Sequence, residues 1–170
     1  LDVLDAQALA GHPRRAEFRR LLDSSWDGHA SVDSVGYRLA RDFMWALHDL
    51  LYGRANAALE TLDPKASAAA ASTRWPAVVA RLLDEQPAGW LPAGHASWKA
   101  LQLAAVDRAI AALDDAGTPL AQATWGRRNT ANVAHPISMA VPALRPWLAA
   151  PDDPLPGDAH MPRVAGPRFG

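Results

Sequence analysis

The six histidines are the residues of this chain best suited to hold a metal ion: His12, His29, His48, His95, His135 and His160. Metal sites on helices typically use two histidines, or a histidine and a carboxylate, four positions apart on one face. No two of these histidines have that spacing, and the neighbours His48 and Asp49 would point apart on a helix. We therefore expect isolated surface or hydrogen-bonded histidines, with no metal-binding and no cofactor-binding residue.

The serines lack the sequence pattern of a serine hydrolase. A nucleophilic serine of that class lies in Gly-x-Ser-x-Gly, on a sharp turn between a strand and a helix. Ser34 is followed by Gly36 but has Val32 two positions before it, and Ser138 lies among prolines. The chain has no cysteine, which excludes cysteine nucleophiles, disulfides and zinc–thiolate sites. We predict no catalytic residue in this chain.

Three groups of carboxylates have a possible chemical role. The pairs Asp114/Asp115 and Asp152/Asp153 offer a general acid and base, and Asp152, Asp153 and Asp158 together offer oxygen ligands for calcium. Adjacent carboxylates at helix ends and in proline-rich loops are more often solvated or capping groups, and the ligand spacing of a calcium loop is missing. We expect these residues to be structural.

The charge balance argues against two classes of partner. The 170 residues include 17 basic and 18 acidic side chains, for a net charge of −1. Such a balance gives no long-range field that would attract nucleic acid or an anionic membrane. No apolar run approaches the roughly 18 residues needed to span a bilayer. We therefore expect neither a nucleic-acid partner nor a membrane partner.

Apolar spacing of three and four residues predicts a mainly α-helical chain. About five helices are expected, at residues 1–10, 13–24, 33–61, 75–86 and 97–115, with residues 64–73 left open between helix and loop. Short helical pieces are also expected at residues 119–123 and 141–148. Eight of the 14 prolines follow residue 135, so we divide the chain into a helical segment, 1–123, and an irregular proline-rich tail, 124–170.

Seven tryptophans are many for this length. Trp45 and Trp98 fall on apolar helix faces and are expected in the core. Trp26, Trp90 and Trp125 lie beside glycine-containing turns, where an indole ring more often holds a loop against a helix than binds a ligand.

Two stretches of sequence resemble a known family. The first has Trp-Asp-Gly at 26–28 and Asp-Ser-Val-Gly at 33–36, followed by the long apolar helix with Phe43 and Trp45. The second has Trp-Gly-Arg-Arg-Asn-Thr-Ala at 125–131, His-Pro-Ile-Ser at 135–138, Pro-Ala-Leu at 142–144, Leu-Pro-Gly-Asp at 155–158, Met-Pro-Arg-Val at 161–164 and Phe-Gly at 169–170. In order and spacing they resemble the large (beta) subunit of penicillin acylases, which include cephalosporin and acyl-homoserine-lactone acylases.

The resemblance implies an exported precursor that cleaves itself. The new amino-terminal serine of the beta subunit attacks an amide carbonyl, its own α-amino group acts as base, and an acyl-enzyme forms and is hydrolysed. Backbone N–H groups and an asparagine side chain hold the oxyanion. The catalytic core is that of an N-terminal-nucleophile hydrolase, an αββα sandwich of two sheets between two helix layers.

None of the family's catalytic residues has a matching position here, because residue 1 is Leu1 rather than serine. The resemblance places the nucleophile, its oxyanion partners and the calcium ligands found in many members upstream of the matched region. We expect a fragment from within the beta subunit, inactive alone. Its partners would be the alpha subunit and the beta-subunit core, with a small-molecule amide as substrate of the parent enzyme, in the periplasm or secreted. The alternative is an independent helical binding module without enzymatic activity.

Overall fold

The computed structural model describes residues 1–62, 74–131, 136–149 and 151–158. Short 3₁₀ turns lie at Ala88–Trp90, Leu120–Gln122 and Pro142–Leu144. Thr130 and Pro154 form an isolated antiparallel β-bridge. The same ranges contain eight α-helices: α1 Ala6–Leu9, α2 Pro13–Ser25, α3 Val35–Leu62, α4 Trp75–Glu85, α5 Trp98–Asp115, α6 Trp125–Arg128, α7 Pro136–Ala140 and α8 Arg145–Leu148. The prediction of a mainly α-helical chain is confirmed.

Each of the five predicted helices is present, from α1 to α5. Helix α1 is shorter than predicted, since Asp5 accepts a hydrogen bond from the Ala8 N–H and thereby caps its start. Helix α3 continues through Gly53 without a break. Residues 64–73, which the sequence left open between helix and loop, lie outside the described residues.

Helix α5 has well-defined ends that the sequence encodes locally. At its start the Ser97 hydroxyl accepts a hydrogen bond from the Ala100 N–H, as expected for an N-cap serine. At its end Gly117 has a φ of +63°, and the N–H groups of Gly117 and Thr118 donate to the carbonyls of Asp114 and Leu113. This is the Schellman arrangement, in which glycine tolerates the left-handed conformation that other residues avoid.

The first of two compact units comprises Leu1–Arg20 and Leu39–Leu120. Its core is built from fully buried apolar side chains on α2, α3, α4 and α5, together with Leu120. Complete burial of a Val, Leu or Phe side chain stabilises the fold by roughly 1.5–3 kcal/mol. The residues with no exposed surface are Phe18, Leu39, Leu47, Val79, Leu101, Ala105, Val106 and Leu120.

The second compact unit joins Leu21–Arg38 to the stretch that begins at Ala121. Buried Ala30, Tyr37 and Trp125 form its hydrophobic centre. Its described C-terminal part contains α6, α7 and α8, so short helices occupy much of a region for which the sequence predicted a helical piece only near residues 141–148. By their contacts, residues 21–38 group with the stretch that begins at Ala121. The domain boundary expected near residue 123 stays a prediction.

Candidate functional site

The histidines differ widely in exposure. His12 and His29 are exposed, His95 is half-buried and His48 is buried. His135 and His160 lie outside the described residues. Over the ranges that the structure describes, no three histidine or carboxylate side chains come together as a metal site would require. The absence of metal and cofactor residues stays a prediction.

His48 has the most unusual surroundings of these histidines. Its ring, 2% exposed, lies 4.8 Å from the ring of Trp75, 5.2 Å from that of Tyr52 and 5.5 Å from that of Trp45. Its Nδ1 lies 3.3 Å from the Asp49 carboxylate, so the prediction that these two neighbours point apart is wrong. Its buried Nε2 has no hydrogen-bond partner. Burial also raises the pKa of Tyr52. The arrangement is that of an aromatic core around α3 and α4.

The serines and carboxylates considered for catalysis have mainly structural contacts. The Ser34 hydroxyl accepts a hydrogen bond from the Tyr37 N–H at 3.1 Å, which caps the start of α3. Ser138 is buried, and Asp114 pairs with Arg14. Asp152 and Asp153 are exposed, whereas Asp158 is buried.

A groove of about 230 Å³ in the first unit lies between the start of α2 and the C-terminal half of α5. Arg15 forms two hydrogen bonds with Asp107, at 2.7 and 2.5 Å, and Arg14 bonds to Asp114 and Glu17. Ile110 supplies an apolar wall. Because these guanidinium and carboxylate groups already pair with one another, the groove offers a ligand no free charge of either sign from them.

The second unit assembles residues from both family-like stretches into what we call the motif cluster: Tyr37, Trp125, Gly126, Asn129 and Asp158. Trp125 is its centre. The backbone N–H of Trp125 donates to the Ser34 carbonyl at 2.9 Å, and its indole Nε1–H donates to the Gly157 carbonyl at 2.8 Å. Its ring meets that of Tyr37 edge to face at 5.0 Å.

Gly126 allows two segments of backbone to approach closely. Its N–H donates to the Val32 carbonyl at 2.7 Å. A Cβ at this position would lie 2.5 Å from Val32 Cγ1 and 2.9 Å from both Pro154 Cβ and the Val32 carbonyl oxygen. Only glycine fits without a shift of neighbouring atoms, since real Cβ atoms do not approach other atoms so closely.

Asn129 holds the stretch from Leu155 to Gly157 against α6. Its side-chain Nδ2 donates to the carbonyls of Leu155 and Gly157, at 2.8 and 3.0 Å. The main-chain carbonyl of Asn129 accepts a hydrogen bond from the Leu155 N–H at 2.7 Å. The N–H of Ala131 donates to the Asp153 carbonyl, also at 2.7 Å. These two backbone bonds make up the antiparallel bridge between Thr130 and Pro154, and they pair peptide groups in a stretch that has no regular secondary structure.

The buried Asp158 carboxylate accepts a hydrogen bond from the Tyr37 hydroxyl. On its other side Tyr37 stacks against Trp26, with centroids 5.8 Å apart and planes 2° apart. This contact fits the predicted role of Trp26 beside a turn, although half of the Trp26 surface is exposed. Trp98 is buried as predicted, whereas Trp45 is half-buried and Trp90 is more than half exposed.

The sequence did not single out Tyr37, Gly126 or the amide of Asn129 for these roles. Asn129 and Gly126 lie in the quoted stretch at 125–131, but the residue types alone do not say which groups they face. Tyr37 directly follows Gly36, whose own lack of a Cβ allows the start of α3 to approach the backbone of Ser25 and Trp26. In chemical terms the motif cluster positions a peptide segment through satisfied hydrogen bonds.

Comparison with known proteins gives one match. A family model described as penicillin amidase matches residues 2–170. No curated protein matches the chain, and no solved structure matches it. None of the helices in the described ranges combines the length and the hydropathy that a bilayer crossing requires.

Proposed function

The chain belongs to the penicillin amidase family, and on this premise we propose that it is a non-catalytic structural segment of an amidohydrolase. The observation that supports the proposal best is the motif cluster. Its polar side chains, Tyr37, Asn129 and Asp158, bond to one another or to backbone carbonyls. The residues that resemble the family thus serve to hold the segment together.

Exposed apolar side chains support a role in packing against further polypeptide. Between Ile137 and Leu148, five large apolar residues keep 36–77% of their surface exposed, and Trp147 is the most exposed of them. These residues lie in or between α7, the 3₁₀ turn at Pro142–Leu144 and α8. Clustered exposed apolar residues typically mark an interaction surface. In the parent acylase, we propose, the alpha subunit and the beta-subunit core are the partners that cover this surface.

The proposed chemistry of the parent is hydrolysis of a side-chain or N-acyl amide through an acyl-enzyme. The amino-terminal serine nucleophile, its oxyanion donors and a structural calcium would all lie outside these residues. As family resemblance implies, the parent would act in the periplasm or outside the cell on a small-molecule amide.

An independent helical binding module remains the alternative, since the same exposed apolar surface would serve to bind a separate partner. The reading frame distinguishes the two functions. We expect it to encode, upstream, a serine at which an acylase precursor would cleave itself and, downstream, further strands of the core. The enzyme expressed from that whole frame should hydrolyse N-acyl amides. A frame without such a serine would contradict the proposal and favour the binding module.

A further inference from the structure

The turn after α2 contains the only Asp-Gly pair in the chain, Asp27–Gly28. A backbone nitrogen that follows an aspartate can attack the side-chain carboxyl, and the attack is least hindered when the nitrogen belongs to glycine, which has no Cβ. The reaction forms a five-membered succinimide ring. Local geometry and solvent access decide whether a given Asp-Gly pair reacts.

Access at this turn is open. The Asp27 side chain is 61% exposed. Gly28 has a φ of +78°, and no atom lies within 4 Å of the place a Cβ would occupy. Water can therefore reach the carboxyl group, and the backbone around Gly28 has room to move towards it.

The hydrogen bonds of His29 favour the reaction. Its backbone N–H donates to Asp27 Oδ1 at 2.9 Å, and such a donor stabilises the negative charge that develops on that oxygen when a nucleophile adds to the carboxyl carbon. The imidazole Nδ1 lies 2.9 Å from the Asp27 carbonyl oxygen and 3.7 Å from Oδ1.

We propose that Asp27 is a site of spontaneous succinimide formation and conversion to isoaspartate. The Gly28 nitrogen forms a bond to Cγ of the protonated carboxyl, and the carboxyl hydroxyl leaves with the amide proton as one water molecule. A second water then opens the ring at either carbonyl. One opening restores aspartate, and the other leaves the main chain running through Cγ. The only co-reactant is water, which is released and then taken up.

The modification would change backbone length between two anchored points. Before the turn, Trp26 stacks on Tyr37. After it, the Ala30 carbonyl accepts a hydrogen bond from the Gly157 N–H at 2.8 Å. Isoaspartate adds one backbone carbon between these contacts, so we expect it to weaken the attachment of the Gly157 segment. This inference does not depend on the proposed function.

The test is to age the purified 170-residue chain at neutral pH in ¹⁸O-labelled water and map isoaspartate by electron-transfer mass spectrometry. Asp33–Ser34 is the internal control. The nitrogen after Asp33 belongs to Ser34, which has a Cβ and a buried side chain, so its attack on the Asp33 carboxyl is hindered. We expect on the order of tenfold more isoaspartate at residue 27 than at residue 33, with labelled oxygen in residue 27.

An amount at residue 27 that is no greater than at residue 33 would overturn the proposal, as would isoaspartate without the label. The variant Asp27→Glu provides the matched control, because ring closure would then need a larger ring. We expect the signal at residue 27 to disappear in it. Persistence of the signal would show that the conversion had been assigned to the wrong residue.

Discussion

The indole Nε1–H of Trp125 donates to the carbonyl of Gly157, and this 2.8 Å hydrogen bond joins residues 32 positions apart. The Asn129 amide donates to the same carbonyl at 3.0 Å. Two side chains from α6 and the residue just after it therefore hold one point of a proline-rich stretch that has no regular secondary structure of its own.

The substitution Gly126→Ala should destabilise the chain by about 1–3 kcal/mol, because the new Cβ would overlap Val32 and Pro154. Urea unfolding followed by circular dichroism measures the change. Gly53→Ala is the matched control: nothing lies within 4 Å of its Cβ position, and alanine in mid-helix should stabilise α3 by about 0.5–1 kcal/mol. Equal effects of the two substitutions would contradict the close approach at Gly126.

The Tyr37–Asp158 contact should show strong energetic coupling. A double-mutant cycle with Tyr37→Phe and Asp158→Asn should give a coupling free energy of about 1–3 kcal/mol, because the hydrogen bond is buried and one partner is a carboxylate. The exposed pair Arg81 and Glu85 should give less than about 0.5 kcal/mol in the same measurement. A Tyr37–Asp158 coupling as small as that of the exposed pair would show that this hydrogen bond does not stabilise the fold.

His48→Phe should leave stability unchanged or raise it by about 1 kcal/mol. The ring lies among Trp45, Tyr52 and Trp75, and its Nε2 has no partner, so phenylalanine removes an unsatisfied buried polar atom. Leu47→Ala, at a neighbouring position with no exposed surface, should cost about 2–5 kcal/mol. A comparable loss for His48→Phe would show that the imidazole makes a contribution that its contacts do not account for.

The pKa of Asp5 should rise when Lys99 is replaced. The Lys99 ammonium at 2.6 Å, together with the Ala8 N–H, holds the pKa of Asp5 below its ordinary value of 3.8. A carboxyl whose pKa is lowered by folding stabilises the fold above that ordinary value, and the contribution is lost as the pH falls through the folded value. Lys99→Met should raise the pKa of Asp5 in an NMR titration, whereas Arg81→Met should leave it unchanged. An unaltered Asp5 titration in Lys99→Met would show that the ion pair does not persist in solution.

The helices were predictable because their causes are local. Apolar spacing defines α3 and α5, and Ser97 and Gly117 mark the ends of α5 within a few residues of sequence. The motif cluster was not predictable in the same way. Tyr37 and Asp158 are 121 positions apart, and no periodicity reveals which distant side chains share a hydrogen bond. The quoted motifs located Trp125, Asn129 and Asp158, but only three-dimensional packing shows that these residues bond to backbone and to Tyr37.

The short helices α6 and α7 were also missed. Each has no more than five residues, which is too short for apolar spacing to be detected. Prolines at 136 and 142 indicate breaks, yet proline is also favourable in the first turn of a helix, as α7 and the 3₁₀ turn at Pro142–Leu144 show.

The most direct test of the central claim is to assay the purified 170-residue chain for hydrolysis of chromogenic N-acyl amides, beside the enzyme expressed from the whole reading frame. We predict turnover by the whole enzyme and none above the blank for the chain alone. Release of product that rises in proportion to the concentration of the chain, and is lost on Ser34→Ala or Ser138→Ala, would contradict the account, because it would place the nucleophile within these residues.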